Sequence, residues 1–121
     1  MPSPYAGLER GLVTTDFDEN TAADHTVVAV PLGLRFFVYH VFLQNDTANA
    51  TEVVIKSGAT AIARFDVPTT AAADNVREFR NAPLPIWKGA DTGEDLVITL
   101  PSTDRIYGWV TYALADHTRS S

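Results

Sequence analysis

The sequence predicts an all-β protein, an antiparallel sandwich or barrel preceded by an extended N-terminal arm. Short segments rich in β-branched and aromatic residues follow one another along the 121-residue chain. Turn residues separate them at spacings of roughly 8–12 residues, which is typical of sandwiches and barrels. No segment repeats its apolar residues at the period of an α-helix, so a parallel sheet with crossover helices is not expected.

The arm is predicted over residues 1–24 and the sandwich domain over residues 25–121. Residues 1–30 contain five acidic side chains and one arginine, a net charge of −4 out of −6 for the whole chain. Three isolated apolar residues are expected to anchor the arm on a neighbouring subunit or a partner's surface: Tyr5, Leu8 and Phe17. The alternative is that "GLVTT", Gly11–Thr15, is an edge strand of the chain's own sandwich.

Six further segments are predicted strands: "HTVVAVP", "RFFVYHVFLQ", "TEVVIKS", "TAIARFDV", "EDLVITLP" and "RIYGWVTYALA". Ser57-Gly58 is predicted to close a tight hairpin between the third and fourth of these. The last two are expected to pair as a hairpin through the turn Pro101–Asp104. Thr69–Arg80 is read as a loop leading into a short strand, with a helical turn as the alternative.

The strand "RFFVYHVFLQN" has apolar residues on both of its faces. In strict alternation, Phe36, Val38 and Phe42 share one face, and the other holds Phe37, Tyr39, Val41 and Leu43. A strand with one wet face should instead alternate apolar and polar residues. We therefore expect a neighbouring subunit or the arm to cover the second face.

Composition excludes several classes of function. The chain has no cysteine, so disulfides, thiol catalysis and cysteine-based metal centres are excluded. A net charge of −6 and a pI near 4.8 argue against nucleic-acid binding, which requires basic patches. No apolar run approaches the length of a membrane span, and the N-terminus lacks the pattern of a signal peptide. We expect a soluble protein made in the cytoplasm.

No catalytic, metal or cofactor site is predicted. "DFDEN" has the first spacing of a calcium loop, but Thr21 and Val27 stand where that loop needs Gly and Glu. The three histidines lack the spacing of a zinc motif, and His40 is expected to be a hydrogen-bonded core or interface residue. The chain has neither a G-x-S-x-G elbow nor a Gly-rich phosphate loop. The protein is therefore predicted not to be an enzyme.

Three aromatic residues are candidates for an interface. Trp87 lies between an apolar run and a turn, while Tyr107 and Trp109 alternate with the apolar residues Ile106 and Val110. Tyr and Trp are enriched at protein interfaces. The alternative is that loops or the arm cover these side chains within the chain.

The runs "NDTANATEVVIKSGATAIARFDV" and "GEDLVITLPSTDRIYGWVTYALA" resemble those of capsid decoration, or cement, proteins of tailed bacteriophages. The resemblance covers roughly residues 30–115. It implies a jelly-roll-like sandwich without cofactor or catalytic residues. It also implies a structural protein of the virion surface, made in the bacterial cytoplasm, which stabilises the capsid lattice.

The expected partners are the major capsid protein and further copies of the chain, as a homotrimer or else a dimer. The alternative is a β-sandwich binding module of the phage tail, baseplate or fibre. Such a module would bind carbohydrate through Trp87 or Trp109. In neither case is a nucleic acid or a membrane expected as a partner.

Overall fold

The computed structural model describes residues 12–47, 49–68, 76–80 and 84–116, and over these residues it contains nine strands and no helix. The strands are β1 (Val13–Glu19), β2 (Asp24–Val28), β3 (Leu34–Asn45), β4 (Thr51–Ser57), β5 (Thr60–Val67), β6 (Val76–Arg80), β7 (Trp87–Lys88), β8 (Leu96–Thr99) and β9 (Ile106–Asp116). Within the same residues, no helix is long and apolar enough to cross a membrane.

The strands form two antiparallel sheets that pack as a sandwich. The first sheet has the order β1-β9-β3-β6, with the short β7 also paired to β3, and the second has the order β2-β8-β4-β5. Strands β1 to β6 alternate between the sheets singly or in pairs, and β8 and β9 insert between earlier strands, which is the double-sheet arrangement of a jelly roll. The predicted all-β, antiparallel, jelly-roll-like sandwich is confirmed.

The core lies between the two sheets. Its largest fully buried side chains include Phe36, Leu43, Ile55, Leu100 and Ile106. They come from both sheets and from the loop after β8, so the apolar faces of the strands meet across one interior.

A β-bulge in β3 explains the apolar residues on both of its faces. The register between β3 and β9 shifts between Val38 and His40, so Tyr39 is the extra residue. Phe36 and Val38 point into the core before the bulge, and Val41 and Leu43 do so after it. The prediction that Phe42 shares a face with Phe36 and Val38 is wrong, because one inserted residue reverses the alternation.

The predicted hairpin between β8 and β9 is wrong, whereas the one at Ser57-Gly58 is confirmed. Strands β4 and β5 pair directly, and Gly58 has the positive φ of 59° that a tight turn needs. By contrast, β8 lies in the second sheet and β9 in the first. Both strands have a buried face, and the apolar pattern is the same whether they pair within a sheet or face each other across the core.

The described part of the predicted arm contains a strand of the sandwich. Val13–Glu19 pairs with β9 along its whole length, so the edge-strand alternative holds for this stretch. Phe17 is 8% exposed and belongs to the core of its own chain. Tyr5 and Leu8 lie outside the described residues. Of Thr69–Arg80, the described part Val76–Arg80 is a strand.

Candidate functional site

The outer face of the first sheet carries a cluster of aromatic side chains, which we call the aromatic face: His40, Phe42, Tyr107 and Trp109. Trp109 lies opposite Phe42 in the pairing of β9 with β3, and the next pair along, Val110 with Val41, points into the core. Alternation therefore directs Trp109 and Phe42 away from the core. Both are partly exposed.

Ring contacts hold the aromatic face in one arrangement. Trp109 stacks on Phe42 with ring centroids 4.3 Å apart and planes within 6°. His40 meets Trp109 edge-on at 6.0 Å, and its Nε2 lies 2.5 Å from Oε2 of Glu78 on β6. Each aromatic pair adds about 0.5–1.5 kcal/mol beyond its burial. Because these rings stand on paired strands, the surface is preformed.

Tyr107 is fixed by an arginine rather than by another ring. The guanidinium of Arg105 lies 4.3 Å from the centre of the Tyr107 ring. Arg105 also donates from Nε and Nη2 to the two carboxylate oxygens of Asp18, each at 2.8 Å, and from Nη1 to Asp46 at 2.7 Å. The hydrogen bonds from Arg105 lower the pKa of Asp18 below its usual value. They join β1, the turn after β3 and the start of β9.

Trp87 and Phe17, two further predicted interface residues, lie away from the aromatic face. Trp87 is partly buried at the sandwich edge, where it packs on Phe65 at 6.1 Å and Phe79 at 5.5 Å between ring centroids. Phe17 is in the core. Thus the structure brings together Tyr107 and Trp109, and adds Phe42, which sequence reasoning missed because the bulge was not anticipated.

The acidic motif "DFDEN" does not form a loop. Asp16 and Asp18 alternate along β1 on the aromatic side, and Asp18 is engaged by Arg105. In the described ranges, no three His, Asp or Glu side chains are grouped so as to hold a metal ion. His25 bonds Glu19 at 2.7 Å and the Thr21 carbonyl oxygen at 2.9 Å, which ties β2 to the preceding turn.

A polar network closes one end of the sandwich. Thr51, which is 1% exposed, donates its hydroxyl to Oδ2 of Asp104 at 2.7 Å, and Ser102 donates to the same oxygen at 2.9 Å. Nearby, the buried Asn45 donates to the Asn49 carbonyl oxygen at 2.6 Å. The hydrogen bond from Thr51 is the main reason that the pKa of Asp104 lies below its usual value. These groups bond to each other, so the network is structural.

Replacing Thr51 with valine is expected to destabilise the protein by about 1 kcal/mol at neutral pH, because a buried donor to a carboxylate is lost. The pKa of Asp104 is lower in the folded protein than in the unfolded one, so the charged carboxylate stabilises the fold at pH values above the unfolded pKa of about 3.9. This stabilisation is lost as the pH falls through the pKa of the folded protein. The difference between Thr51→Val and wild type in urea unfolding should therefore shrink below about pH 4. Thr60→Val, on an exposed site of β5, is the control. A difference that does not change with pH would contradict this coupling to Asp104.

No family model and no curated protein sequence matches the chain. Similar solved structures include a chain of the Bacillus endospore appendages, described as disulfide-linked pili, with a TM-score of 0.49 and 17% identity over 85% of this chain and 83% of that one. Another is from the virus-like particle of the Macrobrachium rosenbergii extra small virus, with a TM-score of 0.41 and 17% identity over 84% and 77% of the two chains. At these TM-scores, neither likeness carries a conclusion about function.

Proposed function

We propose that this chain is a capsid decoration, or cement, protein that binds the phage head surface as a homo-oligomer and stabilises the capsid lattice. The observation that carries the proposal is the aromatic face. It presents Trp109, Phe42 and Tyr107 on a rigid sheet, and these residue types supply much of the binding energy at protein interfaces. A surface of this kind suits binding to another protein surface, and in a homo-oligomer that surface can belong to a further copy of the chain.

The resemblance of residues 30–115 to decoration proteins supports the same role. Its partners would be the major capsid protein and further copies of the chain. An oligomer on the outside of the head can contact several capsomers at once, and linked contacts bind far more tightly than each does alone. Such a bridge resists the separation of capsomers under internal pressure. The protein would be made in the cytoplasm of the bacterial host and end on the virion surface.

The test uses heads of the source phage that lack this protein. Purified wild-type chain should sediment with these heads, saturate at a fixed ratio to the major capsid protein, and raise the temperature at which the heads release DNA. Trp109→Ala should weaken the binding to heads at least roughly tenfold, because it truncates an interface aromatic and because an oligomer that comes apart loses its linked contacts with the head. Leu32→Ala is the matched control, because Leu32 is 92% exposed and lies outside the aromatic face.

Two results would overturn the proposal. One is that the protein does not bind to heads at concentrations where it is folded and oligomeric. The other is saturable binding to purified tails or to a glycan array, with none to heads, which would favour the tail or fibre module. Trp87 and Trp109 would then be the side chains to replace.

A further inference from the structure

Charged side chains at opposite corners flank the aromatic face. On β9, the successive outward positions that are partly exposed are Tyr107, Trp109 and Thr111. Along the β1 edge, Asp18 and Asp16 lie beside the first two of these positions. Along the opposite edge, Arg80 of β6 lies opposite His40, level with Thr111. The acidic corner and the basic corner are therefore diagonal to each other.

An acid and a base at these corners have free charges. Asp18 is paired with Arg105, and Glu78 is paired with His40. Asp16 and Arg80 are both exposed, and neither has an ion-pair partner within the part of the chain that the structure describes. The face thus presents a free negative and a free positive side chain on either side of its aromatic centre.

We propose that a second copy of this chain docks onto the aromatic face, about a two-fold axis that runs along the other diagonal of the face. This axis places the acidic corner of each copy over the basic corner of its partner, twice per dimer. It also places the stacked Trp109 and Phe42 of one copy against those of the other. The inference rests on the homo-oligomer of the proposed function, and it selects the dimer over the trimer.

The charges of the aromatic face are complementary to those of an identical face, and this identifies a second copy of the chain as the partner. A two-fold contact uses the same patch on both copies, so each attractive pair must occur in both directions. A free acid and a free base at diagonal corners meet that condition. Docking of the second copy excludes water from the aromatic centre, as is typical of the core of an interface.

Charge reversal tests the pairing without heads. Asp16→Lys and Arg80→Glu should each lower self-association at least about tenfold in sedimentation equilibrium, because each places like charges together twice. Mixing the two single variants should restore association as a heterodimer, since the introduced lysine of one copy then meets the introduced glutamate of the other and the second pair is native. The variant carrying both changes should also dimerise.

Asp66→Lys is the matched control, because it makes the same change of charge at an exposed position on the outer face of the second sheet. It should dimerise as wild type does, and far-UV circular dichroism should show all four variants folded. A wild-type chain that is monomeric, or trimeric, at tens of micromolar would overturn the inference. So would single variants whose mixture fails to associate. Because heads are absent, this failure is distinct from a failure of the proposed function.

Discussion

Replacing Gly108 with alanine is expected to destabilise the protein by roughly 3 kcal/mol or more, since the new methyl group has no space. A Cβ at this position would lie 1.8 Å from the carbonyl oxygen of Phe42 and 2.8 Å from its carbonyl carbon. Gly108 pairs with Leu43 of β3 and with Phe17 of β1, so β9 has a partner strand on both sides at this position. The obstacle is backbone, so the two central strands of the first sheet would have to separate. Urea unfolding of the folded fraction measures the loss.

Gly33→Ala separates this steric effect from a purely conformational one. Gly33 has a positive φ of 87°, but a Cβ at this position would meet nothing within 4 Å. Its replacement should cost only about 1–2 kcal/mol, the penalty of the left-handed region for a residue with a side chain. Equal losses for the two variants would mean that the close approach of β9 to β3 is not what requires glycine at position 108.

Deleting residues 1–20 is expected to cost several kcal/mol of stability, because it removes strand β1 and the core side chain of Phe17. In β1, Phe17 lies opposite Gly108, and at 8% exposure it belongs to the core cluster. Truncating a buried phenylalanine alone costs roughly 3–5 kcal/mol. The deletion also leaves the edge of β9 without its hydrogen-bonded partner. A shift of the urea midpoint to lower concentration is the expected readout.

Two point variants show where the loss arises. Phe17→Ala should reproduce most of the effect of the deletion, whereas Val13→Ala on the same strand should cost under about 1 kcal/mol, because Val13 is 46% exposed. If the truncated protein unfolds at the same urea concentration as the full chain, β1 does not belong to the fold. The prediction that residues 1–24 are an arm anchored on a neighbouring subunit or a partner's surface would then apply to the whole segment.

The aromatic face shows how far sequence reasoning reached toward the site. Tyr107 and Trp109 alternate with Ile106 and Val110, so their position on the opposite face of β9 followed from the two-residue period of a strand, whereas their partial exposure did not. Phe42 did not follow, because in unbroken alternation it shares a face with Phe36, which is in the core. A single extra residue in β3 is invisible in composition and periodicity.

The sequence alone could not place the two charged corners on one surface, because their placement depends on the order of the strands in the sheet. Asp16 and Arg80 are 64 positions apart in the chain. They flank one surface because β1 and β6 are the opposite edges of the same sheet. Apolar patterns specify which face of a strand is buried, but not which strand lies beside it. Partner choice among buried strands depends on how all of them pack together.

The sequence by itself determined the all-β class, the position of most strands, the Ser57-Gly58 hairpin and the outward direction of Trp109. These are local properties, set by side-chain branching, turn chemistry and alternation within a few residues. Only the tertiary structure decided that β8 and β9 lie in different sheets, that Phe17 completes the core, and that a bulge turns Phe42 outward. Each of these depends on contacts between distant segments, whose free energy is gained only when both sheets close around one interior.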